Sequence, residues 1–194
     1  MSATALRILL LSLFAVLLAG CASSGGGRLQ AAGDAQVLNI ALDTRLDWAR
    51  VHAPREELWT IDGAPLNQLM IISKVKPGEH VFLNARERKS RPDGPWFRAG
   101  MRPDEVRDIV LVGLRGGGWA NVRASNLRPA KFGKERGILF DLAATPQDGP
   151  FYRGLGGAFI ADKKLNLVLF MAAEPHYFDK HKAAAQRLID SIQL

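Results

Sequence analysis

Hydrophobic and polar residues alternate along much of the chain, a pattern typical of β-strands with one buried face. Leu38, Ile40 and Leu42 share one face of a predicted strand over Val37–Asp43. Further strands are predicted at Leu58–Ile61, Asn67–Lys76, His80–Asn84, Trp119–Val122, Ile138–Leu142, Phe151–Ala161 and Leu165–Ala172. The last of these is apolar on both faces, which indicates a central strand that is covered on both sides.

Two segments instead repeat apolar residues at intervals of three and four, as amphipathic helices do. One predicted helix spans Pro103–Leu114, with Asp104 and Glu105 in the first turn, where carboxylates complement the helix dipole. The other spans His176–Ile192 and places His181 on its buried stripe. Because strands outnumber helices and hairpins are frequent, the predicted fold class is α+β, a mainly antiparallel sheet with helices packed on it.

The first 21 residues have the pattern of a secretory signal. Arg7 precedes the uncharged run Ile8–Leu18, and small residues follow. That run is too short to span a bilayer as a helix. The tetrapeptide Leu18-Ala19-Gly20-Cys21 resembles the lipobox of bacterial lipoproteins. We therefore predict a lipoprotein signal peptide over residues 1–20.

Cys21 is the only cysteine in the chain. Resemblance to lipoproteins implies that it becomes the mature N-terminus and carries acyl chains, and two or more chains anchor a protein stably to a membrane. Ala22 follows it, which by the same resemblance favours the outer membrane, facing the periplasm, over the inner membrane in a Gram-negative cell. A Gly/Ser-rich segment then predicts a lipidated flexible tether over residues 21–35, before a single globular domain over residues 36–194.

The composition is that of one ordinary globular domain, with a formal net charge of +7 and 47% hydrophobic residues. A basic balance attracts anions, and for an envelope protein the expected partners are the membrane, another envelope protein or an anionic envelope polymer, not nucleic acid. The candidate ligand-binding residues lie in the basic loop 86–102: Arg86, Arg88, Lys89, Arg91, Trp96 and Arg98. The alternative interpretation of this loop is a solvated charged segment.

No motif predicts catalysis, a cofactor or a metal site. His176 and His181 are five residues apart and do not share the helix face of an i,i+4 pair. The glycines of Gly154–Gly157 lie in a strand with no helix after it, so they predict close approach of another element and not a phosphate loop. No Gly-x-Ser-x-Gly occurs. We expect no enzyme activity, no catalytic residue and no cofactor, with a cell-wall hydrolase whose carboxylates converge in the fold as a further alternative.

The region Trp59–Leu194 carries a family resemblance. Its elements are Trp59-Thr60-Ile61-Asp62-Gly63, Leu66-Asn67, Met101 with Glu105, the Gly137–Phe140 strand, the Gly154–Gly157 strand, Ala173 with Tyr177-Phe178, and Ser191-Ile192. This pattern resembles uncharacterised bacterial lipoproteins whose domain is similar to PsbP and to the Ran-binding protein Mog. The resemblance implies an α/β/α sandwich and the role of an adaptor or extrinsic subunit. We therefore expect a lipid-anchored envelope module that contacts another component through its sheet face or long loop, or that binds anionic ligands through the basic loop.

Overall fold

The structure is a computed structural model that describes residues 27–82 and 94–194. Ten strands and two helices lie in these ranges: β1 (Arg28–Gln30), β2 (Gly33–Val37), β3 (Ile40–Thr44), β4 (Trp48–Ala53), β5 (Glu56–Thr60), β6 (Asn67–Val75), α1 (Pro103–Gly116), β7 (Trp119–Phe132), β8 (Glu135–Pro146), β9 (Tyr152–Ala161), β10 (Lys164–Ala173) and α2 (His176–Asp190). The predicted Cys21, Arg86, Arg88, Lys89 and Arg91 sites lie outside the described residues.

Eight strands form one antiparallel sheet in the order β1-β4-β5-β6-β10-β9-β8-β7, and β2 and β3 form a separate hairpin. The central position of β10 agrees with the prediction from its two apolar faces, since nearly all of its residues are buried. Its hairpin with β9 turns through Asp162 and Lys163, which both have positive φ. Two such residues give a turn whose twist matches that of the paired strands.

Hydrophobic side chains fill both sides of the sheet. On one side, called the α1 face, Val110 and Leu114 of α1 pack with Phe140 and Leu167. On the other, the α2 face, Phe178 and Leu188 of α2 and Ile40 of the β2–β3 hairpin pack with Phe170. The molecule therefore has three layers, the α/β/α sandwich that the resemblance implies. No helix in the described residues is long and apolar enough to cross a membrane.

The glycines of β9 permit the close approach that the sequence predicts. A Cβ atom on Gly156 would overlap the ring of Phe140, and one on Gly154 would overlap the backbone of β10. A larger residue at either position would push apart strands or rings that are now in contact. These glycines are therefore packing positions within the sheet.

Both helices begin where predicted. In α1 the backbone N–H of Arg102 donates to Glu105 Oε2 at 2.9 Å, which gives one unpaired donor at the helix start an acceptor. The helix extends to Gly116, two residues beyond the predicted end at Leu114. In α2 the helix ends at Asp190, and His181 lies on its buried side with 3% of its surface exposed.

The predicted single strand Val37–Asp43 is wrong, because the chain reverses within it. Val37 and Ile40 are paired across a two-residue turn, and Leu38 adopts a positive φ of 58°. Leu38 in the turn is apolar like Ile40 and Leu42, so the alternation in the sequence continues through the reversal, and the turn contains neither glycine nor proline. The pattern of apolar residues therefore hid the reversal.

The flexible tether does not extend to residue 35. Arg28–Gln30 pairs with β4, and Gly33–Val37 forms the first arm of the β2–β3 hairpin. These segments are short and polar, so their own sequence gives little strand signal. They become strands because β4 and β3 offer backbone partners. The folded domain therefore begins at least eight residues before the predicted boundary at 36.

Other predicted strands change in extent. His80–Asn84 does not form a returning strand over its described part, where His80 makes only an isolated bridge with Trp96. Trp119–Val122 is the first part of the longer strand β7, and Ile138–Leu142 is the middle of the longer strand β8. The edge strand β7 contains two register shifts, at Asn121 and Asn126, which both have positive φ. Bulges and exposed charges of this kind protect a long edge strand from pairing with another chain.

Candidate interaction surface

The basic loop is held at its base by two hydrogen-bonded segments, residues 78–82 and 94–97, which we call the stem. Gly78 N–H donates to the carbonyl of Phe97 at 2.7 Å, and Phe97 N–H donates to the carbonyl of Glu79 at 3.0 Å. Val81 N–H donates to the carbonyl of Pro95 at 3.0 Å. These bonds keep the two ends of the 83–93 segment next to each other on the α1 face.

The stem is anchored in the hydrophobic core. Val81, Phe82 and Phe97 are buried, with 0%, 5% and 1% of their surface exposed. The ring of Phe82 occupies the space into which a Cβ atom on Gly113 of α1 would project. The absence of that side chain lets the stem and the helix pack directly against each other. The residues on either side of positions 83–93 therefore have fixed positions on the domain.

One ion pair and a hydrogen bond join the stem to the turn between β4 and β5. Arg55 forms an ion pair with Glu79 and donates to the carbonyl of His80 at 3.2 Å. Glu79 also accepts from the backbone N–H of Lys76 at 2.9 Å. Glu79 thus holds both the turn that precedes the stem and the adjacent turn of the sheet. This arrangement couples the position of the stem to the first half of the sheet.

Two of the six predicted ligand-binding residues lie in the described chain. Trp96 is half-buried and meets the ring of His80 edge-on, with 5.2 Å between the ring centroids. Arg98 is exposed and lies 3.6 Å from Glu105 in the first turn of α1. The structure thus places Trp96 in the stem and Arg98 beside it, next to the start of α1. Their binding role stays a prediction.

A second exposed feature lies on the same side of the sheet, and the sequence analysis missed it. The apolar strip consists of Leu29, Ala49, Val51 and Leu58, which the strand register places side by side on β1, β4 and β5. Leu29 is 75% exposed and Val51 is 53% exposed. Among the described elements α1 packs on β7 and β8, at the opposite end of the sheet. An exposed apolar patch is a common feature of surfaces that bind other proteins.

Glu56 lies on the same face, opposite Ala53 and next to this strip. Its side chain is half-buried, and burial raises the pKa of its carboxyl group. In the described residues it has no ion-pair partner. The α1 face of β1, β4 and β5 therefore presents apolar side chains together with the carboxyl group of Glu56, whose charged form is disfavoured by burial.

The α2 face of the same strands is closed by a polar network around Glu57, which is only 1% exposed. Its carboxylate accepts from Arg50 at 2.7 Å and from the indole N–H of Trp59 at 2.8 Å, and His52 Nδ1 lies 3.1 Å away. Burial alone would raise the pKa of Glu57, but the hydrogen bonds from Arg50, Trp59 and His52 outweigh it and lower the pKa. The buried charge is therefore fully paired.

A second network joins the turn after β5 to α2. Asp62 Oδ2 accepts from Asn67 Nδ2 at 2.6 Å and lies 2.5 Å from His181 Nε2, and Asp62 Oδ1 accepts from Lys180 at 2.9 Å. The side chain of Asn67 also accepts from the backbone N–H of Ile61 at 2.8 Å. The segment from Asp62 to Asn67 forms a turn that these side-chain hydrogen bonds close. The contacts with Lys180 and His181 fasten the turn to the helix.

Metal-binding chemistry has no candidate in the described residues, since no group of three or more His, Cys, Asp or Glu side chains converges there. His181 faces Asp62, whereas His176 is exposed and contacts Tyr177 edge-on. Within the described chain, every buried side-chain nitrogen or oxygen also has a hydrogen-bond partner.

Comparison with known proteins gives the fold. No protein-family model matches this chain, and no curated protein is significantly similar to it in sequence. The solution structure of cyanobacterial PsbP (CyanoP) from Synechocystis sp. PCC 6803 is similar to it with a TM-score of 0.56 and 12% sequence identity. The similarity covers 90% of this chain and 97% of that one. The fold is therefore PsbP-like, as the sequence resemblance predicts.

Proposed function

We propose that this chain is a lipid-anchored, non-enzymatic interaction module of the cell envelope that docks another envelope protein through the apolar strip. The observation that carries the proposal is the exposure of Leu29 and Val51, at 75% and 53%, on one continuous sheet face. Burial of large, exposed apolar side chains against a partner is favourable, because it removes their surface from water. The PsbP-like fold supports a domain that presents such a surface, although fold alone does not determine function.

The test is site-specific photo-crosslinking in intact cells, with the crosslinker placed at Val51. A matched control carries it at Leu127, which is 36% exposed on the edge strand β7. We expect a discrete adduct from position 51 that is absent from position 127 and that disappears when Leu29 is replaced by glutamate. If both positions give the same adducts, or if Leu29→Glu leaves the adduct unchanged, the apolar strip is not the docking surface.

The anchor is tested separately. In the proposal Cys21 carries the lipid, and the protein faces the periplasm from the outer membrane. Mass measurement of the mature N-terminus should find acylated Cys21, and Cys21→Ala should release the protein from the membrane fraction. An intact Met1 with an unmodified thiol would remove the anchor from the proposal without affecting the docking surface.

A second candidate function is the binding of an anionic envelope ligand by the basic loop. The specific observation in its favour is the stem, which fixes both ends of the segment that contains Arg86, Arg88, Lys89 and Arg91. Replacing Arg86, Arg88 and Arg91 with glutamate should weaken binding to anionic envelope fractions and reduce its sensitivity to salt, because screening acts on the charges that carry the interaction.

The matched control for this triple variant changes the net charge equally at another place. Lys131, Lys134 and Arg136 are exposed around the turn between β7 and β8. Their replacement with glutamate should leave binding to the anionic fraction largely intact. Equal losses from both triple variants would assign the effect to overall charge, and the basic loop would lose its role as a specific site.

A further inference from the structure

A cleft of about 530 Å³ lies beside β7, β8 and β9, apart from the surfaces discussed above. The residues that line it and that matter here are Arg123, Ser125, Asp141, Ala143, Phe151 and Arg153. Its volume is within the range of small-ligand sites, about 300–1,000 Å³. The basic loop and the apolar strip contribute no residue to it.

Strand register brings two arginines to the two sides of this cleft. Arg123 of β7 pairs with Ala143 of β8, and Ala143 pairs in turn with Arg153 of β9. Adjacent strands are about 4.8 Å apart, so the two arginine backbones are separated by about 10 Å. Because alanine is small, the middle of this row is open. The row therefore forms a slot with a cationic side chain on each side.

The two arginines differ in what they contact. Arg153 forms an ion pair with Glu174 at 2.8 Å, and its guanidinium lies 4.6 Å from the ring centroid of Phe178 in α2. Those contacts fix its orientation. Arg123 is exposed and has neither an ion pair nor a side-chain hydrogen bond with any described residue. It is the guanidinium of the cleft that is free to pair with an incoming anion.

The carboxylate inside the cleft does not neutralise Arg123. Asp141 forms an ion pair with Arg128 at 3.0 Å and accepts from Asn126 Nδ2 at 3.3 Å. Each of the two nearby acids, Asp141 and Glu174, is thus matched by one arginine. The positive charge of Arg123 remains, and an arginine side chain of this kind pairs with a carboxylate through two parallel hydrogen bonds.

An aromatic ring stands at the edge of the cleft. Phe151 is 41% exposed, directly precedes β9 and lines the same cleft as Arg153. The flat ring of an exposed phenylalanine offers an apolar surface, and the C–H face of a pyranose is a matching apolar surface. The hydroxyl of Ser125 adds a donor and acceptor on the opposite strand. A cation, an aromatic face and a hydroxyl are the three groups that would recognise an acidic sugar.

We propose that this cleft binds a carboxylated hexopyranose, a sugar of the uronic acid class. Arg123 pairs with the sugar carboxylate, Phe151 packs against the ring, and Ser125 hydrogen-bonds a ring hydroxyl. Arg153, held by Glu174 and Phe178, forms the far side of the slot. The proposal is independent of the apolar strip and of the lipid anchor, since neither contributes a residue to the cleft.

The test is calorimetric titration of the purified full-length protein with glucuronate, with glucose and inorganic phosphate as comparison probes. Glucuronate should bind at least tenfold more tightly than either, because only glucuronate carries both the carboxylate and the pyranose ring. Arg123→Ala and Phe151→Ala should each weaken glucuronate binding at least fivefold. Arg123→Lys should lie between Arg123→Ala and the wild type, because it keeps the charge and loses the paired hydrogen bonds.

Arg136→Ala is the matched control, because Arg136 is also exposed, and no ion pair joins it to another described residue. Its glucuronate affinity should equal that of the wild type, and circular dichroism should confirm that all variants are folded. Three results would each overturn the proposal: no saturable glucuronate binding, phosphate affinity equal to that of glucuronate, or an equal loss in Arg136→Ala and Arg123→Ala. An unaffected Phe151→Ala would also overturn it, since the sugar ring would then have no platform.

Discussion

Replacing Asp62 with alanine tests whether one carboxylate fastens the turn after β5 to α2. Asp62 accepts from Asn67 at 2.6 Å and from Lys180 at 2.9 Å, and it lies 2.5 Å from His181. Asn67 is fully buried and His181 is 3% exposed, so water replaces the lost acceptor poorly at both. The Lys180 side chain is 45% exposed and regains water readily.

The free energy of unfolding that Asp62→Ala removes follows from the loss of these three partners. A hydrogen bond to a charged group contributes about 1.5–3 kcal/mol, and a buried donor left unpaired costs about 1–3 kcal/mol. An ion pair with an exposed lysine adds less than about 1 kcal/mol. With two buried partners affected, we expect Asp62→Ala to lower the free energy of unfolding by about 3–4 kcal/mol. That is a large share of the roughly 5–15 kcal/mol typical of a domain.

Urea denaturation at pH 7, followed by tryptophan fluorescence, measures this loss. The denaturation midpoint should fall while the slope with urea stays constant, since the surface exposed on unfolding does not change. Asp148→Ala is the matched control, because Asp148 is exposed and makes no side-chain hydrogen bond with a described residue. A loss below about 1 kcal/mol, or one equal to that of the control, would refute the reasoning, because each buried bond alone should exceed it.

The same variant has a defined pH dependence. Burial alone would raise the pKa of Asp62, but the hydrogen bonds and charges of Lys180 and His181 outweigh it and lower the pKa. A carboxyl group with a lowered folded-state pKa stabilises the fold above its unfolded pKa, about 3.9, and loses that effect as the pH falls through the folded value. The difference between wild type and Asp62→Ala should therefore be full at pH 7 and shrink below about pH 4.

Three further predictions address the sheet and the stem. Glu56→Gln should raise the free energy of unfolding at pH 7 and leave it unchanged at pH 3, because burial raises the pKa of Glu56 and so penalises its charged form; urea denaturation at both values checks this. Gly156→Ala should cost about 1–3 kcal/mol through overpacking, by the same assay, and more than Gly157→Ala, whose added methyl group finds its nearest neighbour at 3.1 Å. Phe82→Ala should cost about 3–5 kcal/mol and lower the melting temperature, because it empties the space over Gly113; an unchanged melting temperature would mean that the stem is not anchored there.

The elements that were predicted correctly are those in which the pattern of apolar residues within the segment itself shows which side chains are buried. β10 is apolar on both faces, and α1 and α2 repeat their apolar residues at helical spacing. In such segments each residue's environment follows from its neighbours in the chain. Short or edge strands behave differently, because their partners decide their state. β1 has only three residues and is ordered by pairing with β4, which no local signal reveals.

The surface features depend on pairings that no local pattern contains. The apolar strip exists because register aligns Leu29 with Ala49, and Val51 with Leu58. Since neither β1 nor β4 was predicted, the strip was missed as well. Alternation over Trp48–Ala53, with large or polar residues at even positions and small or aliphatic ones at odd positions, was the available signal for β4. Of the described residues on these surfaces, the sequence analysis named only Trp96 and Arg98, as candidate ligand-binding residues of the basic loop.

The Asp62–His181 pair shows that two titratable side chains in contact are not by themselves a functional site. Asp62 and His181 are 119 positions apart in the sequence, and their 2.5 Å contact resembles the acid–imidazole pair of many catalytic sites. Here, however, His181 faces Asp62, and Asn67 and Lys180 donate two further hydrogen bonds to the same carboxylate. These described partners hold the turn after β5 against α2, so the pair stabilises the fold. By contrast, Arg123 has no ion-pair partner among the described residues, so its guanidinium group remains available to an external ligand.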